Sequence, residues 1–324
     1  MSSSVKLFTP VLLIGCFIIL MSFSIRASFG LFQIPISAEF GWPRAEFSLA
    51  IAIQNLAWGI GQPIFSAIAE KIGDRKAIIT GGLIYAVGLI LSSAAISPQA
   101  HQTYEILIGF GIAGTGFGVI LGAVGRASSD KNRIMSLAIA TAAGSGGQIV
   151  GPLLAEWLLS FASWQSVFMI FAAIIIGSLF TLPFMKVPQN INRQEAGQSM
   201  AEVLRQAFKD PSFAMLFLGF FSCGYQLAFM TAHFPALVTE MCEPILSGGI
   251  LNSIGITTTS ALGATALAVI GVTNIVGTLG AGYLGSRYPK KYLLCGVYTG
   301  RTIIATAFIM TPITPETVLL FSMF

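Results

Sequence analysis

Ser66-Ala67-Ile68-Ala69-Glu70-Lys71-Ile72-Gly73-Asp74-Arg75-Lys76 is a short run of charge between two long apolar stretches. A related run, Gly282-Tyr283-Leu284-Gly285-Ser286-Arg287-Tyr288-Pro289-Lys290-Lys291, follows at an offset of 216 residues. Aligning Ser66 with Gly282 sets Glu70 on Ser286, Lys71 on Arg287, Gly73 on Pro289 and Arg75 on Lys291. A basic tight turn between membrane-length segments, once in each half, points to a duplicated membrane protein and away from a soluble enzyme.

Composition agrees. Of the 324 residues, 55% are hydrophobic and 9% charged, against about 25% charged in an ordinary soluble domain. The net charge of +4 does not imply nucleic acid, because the basic residues lie singly or in small groups and build no basic face. Cys16, Cys223, Cys242 and Cys295 have no metal-ligand spacing, and all but Cys242 fall in apolar runs. They are expected as small core residues, with no metal, cofactor or disulfide framework. Gly109-x-Gly111-x-x-Gly114 has the form of a dinucleotide fingerprint but sits inside an apolar segment with no strand before it. Small residues four apart, Gly114, Gly118 and Gly122, are expected to let helices approach closely. No nucleophile with a partnering base and no paired carboxylates are found, so no enzyme is expected.

At about 20 apolar residues per crossing, spans are expected near 9–36, 46–69, 77–97, 104–125, 133–157, 164–185, 211–236, 259–285 and 291–310. A tenth begins at about Glu316 and stops at Phe324, as in an incomplete copy of a longer protein. With the N-terminus in the cytoplasm, all but three of the 17 Lys and Arg residues fall in cytoplasmic segments, as the positive-inside rule requires. The exceptions are Arg44, in an outer loop, and Arg26 and Arg301, within spans. Trp42, Trp157 and Trp164 then fall near the outer surface, where indole rings favour the headgroup layer. The chain divides into an N-terminal six-helix bundle (1–186), a partly helical cytoplasmic linker (187–210) and an incomplete C-terminal bundle (211–324).

The charged turn resembles the loop signature of the major facilitator superfamily, Gly-x-x-x-Asp-Arg/Lys-x-Gly-x-Arg/Lys. Lys71, Gly73 and Arg75 match, while Ser66 and Glu70 replace the Gly and Asp; the second copy keeps Gly282, Arg287 and Lys291 but has Ser286 and Pro289. A gating role at these loops is expected for Glu70, Lys71, Gly73, Arg75, Arg287, Lys290 and Lys291, with any carboxylate latch resting on Glu70. Arg26-Ala27-Ser28-Phe29-Gly30-Leu31-Phe32, Gly41-Trp42-Pro43-Arg44 and Gln54-Asn55-Leu56-Ala57-Trp58-Gly59 look like bacterial relatives of the monocarboxylate transporters and oxalate/formate exchangers. The resemblance implies an all-α, two-bundle carrier of twelve helices in the inner membrane, here carrying about nine and a half of them, monomeric, with a central site reached alternately from each side. Asn274 and Thr278 stand where monocarboxylate transporters carry an Asp and an Arg, and Glu105 stands where the superfamily's proton-coupling motif has an Arg.

Arg26 and Arg301 are the leading site candidates, because a charge at mid-membrane costs about 2.5–3.5 kcal/mol and must find water or a partner. With Glu46, Glu105 and Glu156 near outer span ends, neither arginine has an expected carboxylate at its depth. Such cations suit an anion, which guanidinium grips through two parallel hydrogen bonds. A structural role, through helix carbonyls or snorkelling, is the alternative. Helical spacing groups Arg26, Gly30 and Gln33 on one face, Gln54, Trp58 and Gln62 flanked by Asn55 on a second, and Thr141, Ser145 and Gln148 on a third; a wet cavity and interhelical bonding both explain such stripes. Tyr225, Gln226 and His233 add polar groups in the seventh span, and His233 is the candidate carrier if a proton is the coupling ion. His101 is expected in an outer loop. Gly147-x-x-x-Gly151-Pro152 resembles part of an exchanger motif and suits either a hinge or close packing. The expected substrate site is thus Arg26, Gln54, Asn55, Trp58, Gln148, Tyr225, Gln226, His233, Asn274 and Arg301. The expected function is secondary active transport of small organic anions across the bilayer. Multidrug efflux and a truncated, non-transporting remnant are the alternatives.

Overall fold

The computed structural model describes residues 7–187, 200–246, 248–285 and 287–324, and all its regular structure is helical. Helix α1 (Pro10–Ser28) starts from Thr9, whose side chain accepts the Leu12 N–H, with Pro10 in the first turn. A 3-10 turn (Phe29–Phe32) leads to α2 (Gln33–Phe40), which ends on Gly41 at φ +66°. Helix α3 (Arg44–Ile72) ends on Gly73, whose φ of +97° is open to glycine and strained for other residues. That one residue reverses the chain into α4 (Asp74–Ser93) and explains the Gly inside the charged turn. Helix α5 (Pro98–Thr115) breaks at Gly116 into α6 (Phe117–Ala127), followed by α7 (Arg133–Leu159) and α8 (Trp164–Leu179).

A short α9 (Met200–Ala207) crosses the expected linker, whose residues 188–199 lie outside the described ones. Then come α10 (Pro211–Met241), α11 (Ile250–Ser253), α12 (Thr259–Gly285), α13 (Lys290–Ile309) and α14 (Pro315–Ser322). Among the described residues, eight helical stretches are long and apolar enough to cross a bilayer. The 29-residue α3, an expected span, is not among them although it is long enough. Its Gln54, Asn55 and Gln62 lower its hydropathy, and all three carboxamides bond to other helices.

In lipid, apolar side chains gain little by leaving hydrocarbon, so close backbone approach and polar contacts carry helix association. Gly81 of α4 and Gly114 of α5 meet so tightly that a Cβ on either would lie 2.5–2.6 Å from the other's Cα. Around such crossings, Phe32, Phe47, Tyr85, Phe168 and Phe171 form one apolar core and Leu12, Ile18, Phe65, Ile78 and Ile120 a second. Phe234, Val238, Leu262 and Val318 form a third, between α10, α12 and α14.

The helices before and after the linker touch towards the end marked by Gly41. Arg44 pairs with Glu240, and Ser260 donates to Glu156 at 2.7 Å. Gly30 lies under the Thr231 carbonyl, which a Cβ would meet at 2.2 Å. Asn274 donates to Ser145 at 3.3 Å further along α12. Towards the Gly73 end, α10 exposes Phe213, Phe217, Phe220 and Phe221, and α12 exposes Val276, Leu279 and Tyr283.

Candidate functional site

Arg26, near the C-terminal end of α1, is 7% exposed. Its Nη2 donates to Asn55 Oδ1 at 3.1 Å, and its guanidinium carbon lies 4.5 Å from the centroid of the Trp58 ring. Asn55 and Trp58 are three residues apart on α3, so one helix face presents both the acceptor and the ring. A desolvated cation–π contact contributes about 2 kcal/mol, and a hydrogen bond to a charged group about 1.5–3 kcal/mol. Together these offset the cost of the buried charge. Among the described residues, one of the five guanidinium donors is engaged, Nε is buried without a partner, and no carboxylate oxygen lies within 4.0 Å.

A cavity of about 10 Å³ adjoins this cation, lined by Arg26, Phe29, Ile51, Gln54, Asn55, Thr231 and Ala232. That volume suits about one water, so a larger guest requires α10 to draw away from α1 and α3. A cavity of about 250 Å³ lies nearer the Gly41 end, between the 3-10 turn, α2, α7, α10 and α12. Its polar lining is Glu156, Ser160, Thr239 and Ser260, with no cation to hold an anion.

The structure brings Arg26, Gln54, Asn55 and Trp58 together. Gln148 is buried on α7, and Asn274 reaches Ser145 on that helix. Tyr225 is exposed; Gln226 and His233 are half-buried, with the His233 ring 5.0 Å from Phe229. Arg301 lies apart on α13, half-buried, its Nη1 donating to Cys223 Sγ at 3.1 Å.

The 3-10 turn breaks the expected stripe on the first span. Arg26 faces α3 and Gly30 meets the α10 backbone. On α3, Gln54 donates to Glu105 at 2.6 Å, and Gln62 accepts the Gly118 N–H at 3.0 Å, satisfying a donor freed by the break at Gly116. These two carboxamides thus serve interhelical bonding. Gly147 and Gly151 press on the α1 backbone, where a Cβ on Gly151 would lie 1.9 Å from the Ser24 carbonyl oxygen; close packing accounts for that motif.

In the first charged turn, Asp74 pairs with Arg126, at the far end of α6. Glu70 and Lys71 are exposed, and Arg75 Nε donates to the Leu182 carbonyl at 2.9 Å. In the second, Arg287 lies over Tyr283 at 4.3 Å and Lys291 over Tyr292 at 5.0 Å; the Lys290 side chain and Ser286 lie outside the described residues.

Two placements correct the sequence reading. His101 lies in the first turn of α5, 1% exposed, not in a loop, and Glu105, one turn on, is 0% exposed within the bundle. Glu105 bonds Gln54, the neighbour of the Asn55 that holds Arg26, so a carboxyl group does lie near the depth of the cation. The overlooked signal is Ser97-Pro98, a cap and first-turn proline that start the helix at 98 and not 104.

A sequence profile of the Major Facilitator Superfamily matches residues 12–324. The chain belongs to the Major Facilitator Superfamily. It is 32% identical over 154 residues to monocarboxylate transporter 13 of Bos taurus, covering 47% of this chain and 35% of that protein. It is 30% identical over 159 residues to the methyl viologen resistance protein SmvA of Salmonella typhimurium, covering 48% of this chain and 30% of that protein. The matches thus span about a third of the length of these relatives. The crystal structure of an aspartate-to-alanine mutant of the nucleoside transporter NupG superposes with a TM-score of 0.68 at 15% identity, over 97% of this chain and 78% of that one. The two-bundle superfamily fold and the apolar helices make this a multi-pass membrane protein.

Proposed function

We propose that this chain forms the substrate-bearing part of a secondary active transporter for small organic anions of the monocarboxylate type, working by alternating access. The observation that carries the reading is Arg26: a buried guanidinium held by Asn55 and Trp58 beside a small cavity that α10 closes, with donors to spare and no bonded carboxylate among the described residues. A carboxylate accepting two of those donors supplies the missing counter-charge. The likeness to a monocarboxylate transporter supports the same cargo class. In this reading residues 1–186 are one bundle, 187–210 a cytoplasmic linker and 211–324 part of the second bundle. The N-terminus is cytoplasmic, the membrane is the inner one and the carrier is monomeric. The contacts of Arg44, Glu156 and Gly30 then close the outer side.

Purified chain tests the reading by thermal shift, because a ligand of the folded state raises apparent stability. Pyruvate or lactate raises the melting temperature of the wild-type chain and not that of Arg26→Ala; equal shifts in both remove the reading. The likeness to SmvA favours drug efflux as the second reading. Methyl viologen, a dication, is repelled by a buried Arg26; a shift with it and none with carboxylates selects efflux.

A further inference from the structure

The cavity of about 250 Å³ towards the Gly41 end has walls from both sides of the linker: the 3-10 turn, α2 and α7 on one side, α10 and α12 on the other. Glu156 is the one charged residue of its lining, and no Lys, Arg or His among the described residues lies within 4.0 Å of that carboxylate. The three hydroxyl groups of the lining have spent their protons within the protein. Ser260 donates to Glu156 Oε2 at 2.7 Å, Thr239 to the Pro235 carbonyl at 2.9 Å and Ser160 to the Trp157 carbonyl at 2.7 Å. What these side chains offer a guest is therefore acceptors alone: hydroxyl lone pairs and Glu156 Oε1, which has no bonded partner among the described residues.

A guest matched to such a surface donates hydrogen bonds and carries positive charge. An ammonium group has three donors and no acceptor. The remaining wall is apolar, with Leu31, Ile34 and Leu159, and suits a short alkyl or aryl body. The space lies just under the range of about 300–1,000 Å³ that holds drug-sized ligands, so the guest is small. The bond from Ser260 explains one oxygen of Glu156 as a clasp between α7 and α12. It leaves the other oxygen, and the volume beside it, without a purpose.

We propose that this cavity is a regulatory site for a small organic ammonium ion, which holds the Gly41 end closed. The ammonium group pairs with Glu156 Oε1, and the body packs between the 3-10 turn and α10. These contacts exist only while the walls meet, so the ion binds the closed arrangement and shifts the population towards it. The Arg44–Glu240 pair joins the same end. A carboxylate at Arg26 requires α10 to draw away. Resting on that anion reading, the ammonium ion and pyruvate each weaken the other's binding by the same factor.

Titration calorimetry of the purified full chain with benzylammonium tests the site, with benzyl alcohol as the uncharged match. A charge-assisted bond to Glu156 makes the ion bind the wild type about tenfold more tightly than the alcohol. Glu156→Gln, which keeps an acceptor for Ser260, abolishes that preference. Ala236→Phe fills the cavity and binds neither compound, and it stands in should Glu156→Gln fail to fold. Closure is read from a chain carrying Arg44→Cys and Glu240→Cys, in which benzylammonium speeds disulfide formation. No binding of the ion, equal affinity for ion and alcohol, equal affinity of the ion for wild type and Glu156→Gln, or an unchanged disulfide rate overturns the proposal. Benzylammonium that binds and speeds the disulfide in a chain that does not bind pyruvate removes the anion reading and leaves this site standing.

Discussion

Arg26 and Arg301 give the same signal in sequence, a lone guanidinium inside an apolar span, and the fold treats them differently. Around Arg26, α1, α3 and α10 converge, the cation is 7% exposed, and Asn55 and Trp58 fix it. Around Arg301, α13 meets α10 near Cys223 and the side chain stays half-buried. Charge within a span thus marks a site only where several helices close over it, because burial on all sides leaves spare donors that only a guest can satisfy.

The sharpest way to break this contrast is to remove each cation in turn. Arg26→Ala lowers pyruvate affinity by about 2–5 kcal/mol, as for other truncated buried charge pairs, whereas Arg301→Ala leaves it within about twofold; titration calorimetry reads both. Next in size is Gly30→Ala, which drives a Cβ to 2.2 Å from the Thr231 carbonyl oxygen. Overpacking of this kind costs about 1–3 kcal/mol, and here it parts α10 from the 3-10 turn. Disulfide formation between Arg44→Cys and Glu240→Cys falls as a result. Trp58→Leu removes the ring beneath Arg26 and weakens pyruvate binding by about 1–2 kcal/mol, while Tyr298→Phe near Arg301 does not. Smallest is Asp74→Asn, which breaks the pair with Arg126. That pair is partly exposed, so the loss is about 1 kcal/mol or less in thermal stability.

Much of this was legible in the sequence. Gly73 marked a reversal that needs positive φ, and the apolar runs placed the long helices within a few residues. Arg26, Asn55 and Trp58 were all visible as candidates. What was not legible followed from breaks in regular helix. Residue spacing assumes an unbroken 3.6-residue period, and the 3-10 turn at Phe29–Phe32 violates it, which sends Gly30 to α10. His101 and Glu105 were misplaced because hydropathy delayed the start of α5, although Ser97-Pro98 announced it. The loop motif drew attention to Glu70 and gave no sign that Asp74, in the first turn of α4, meets Arg126, because that pairing joins residues 52 positions apart.

The most direct test is to locate a heavy-atom carboxylate on the protein. Crystals of the chain grown with para-bromobenzoate give a bromine anomalous peak that fixes the guest without reference to mutants. The expected result is a carboxylate within hydrogen-bond reach of the Arg26 guanidinium, between α1, α3 and a displaced α10. A peak beside Arg301, or in the cavity lined by Glu156 with Arg26 still bonded only to Asn55, contradicts it.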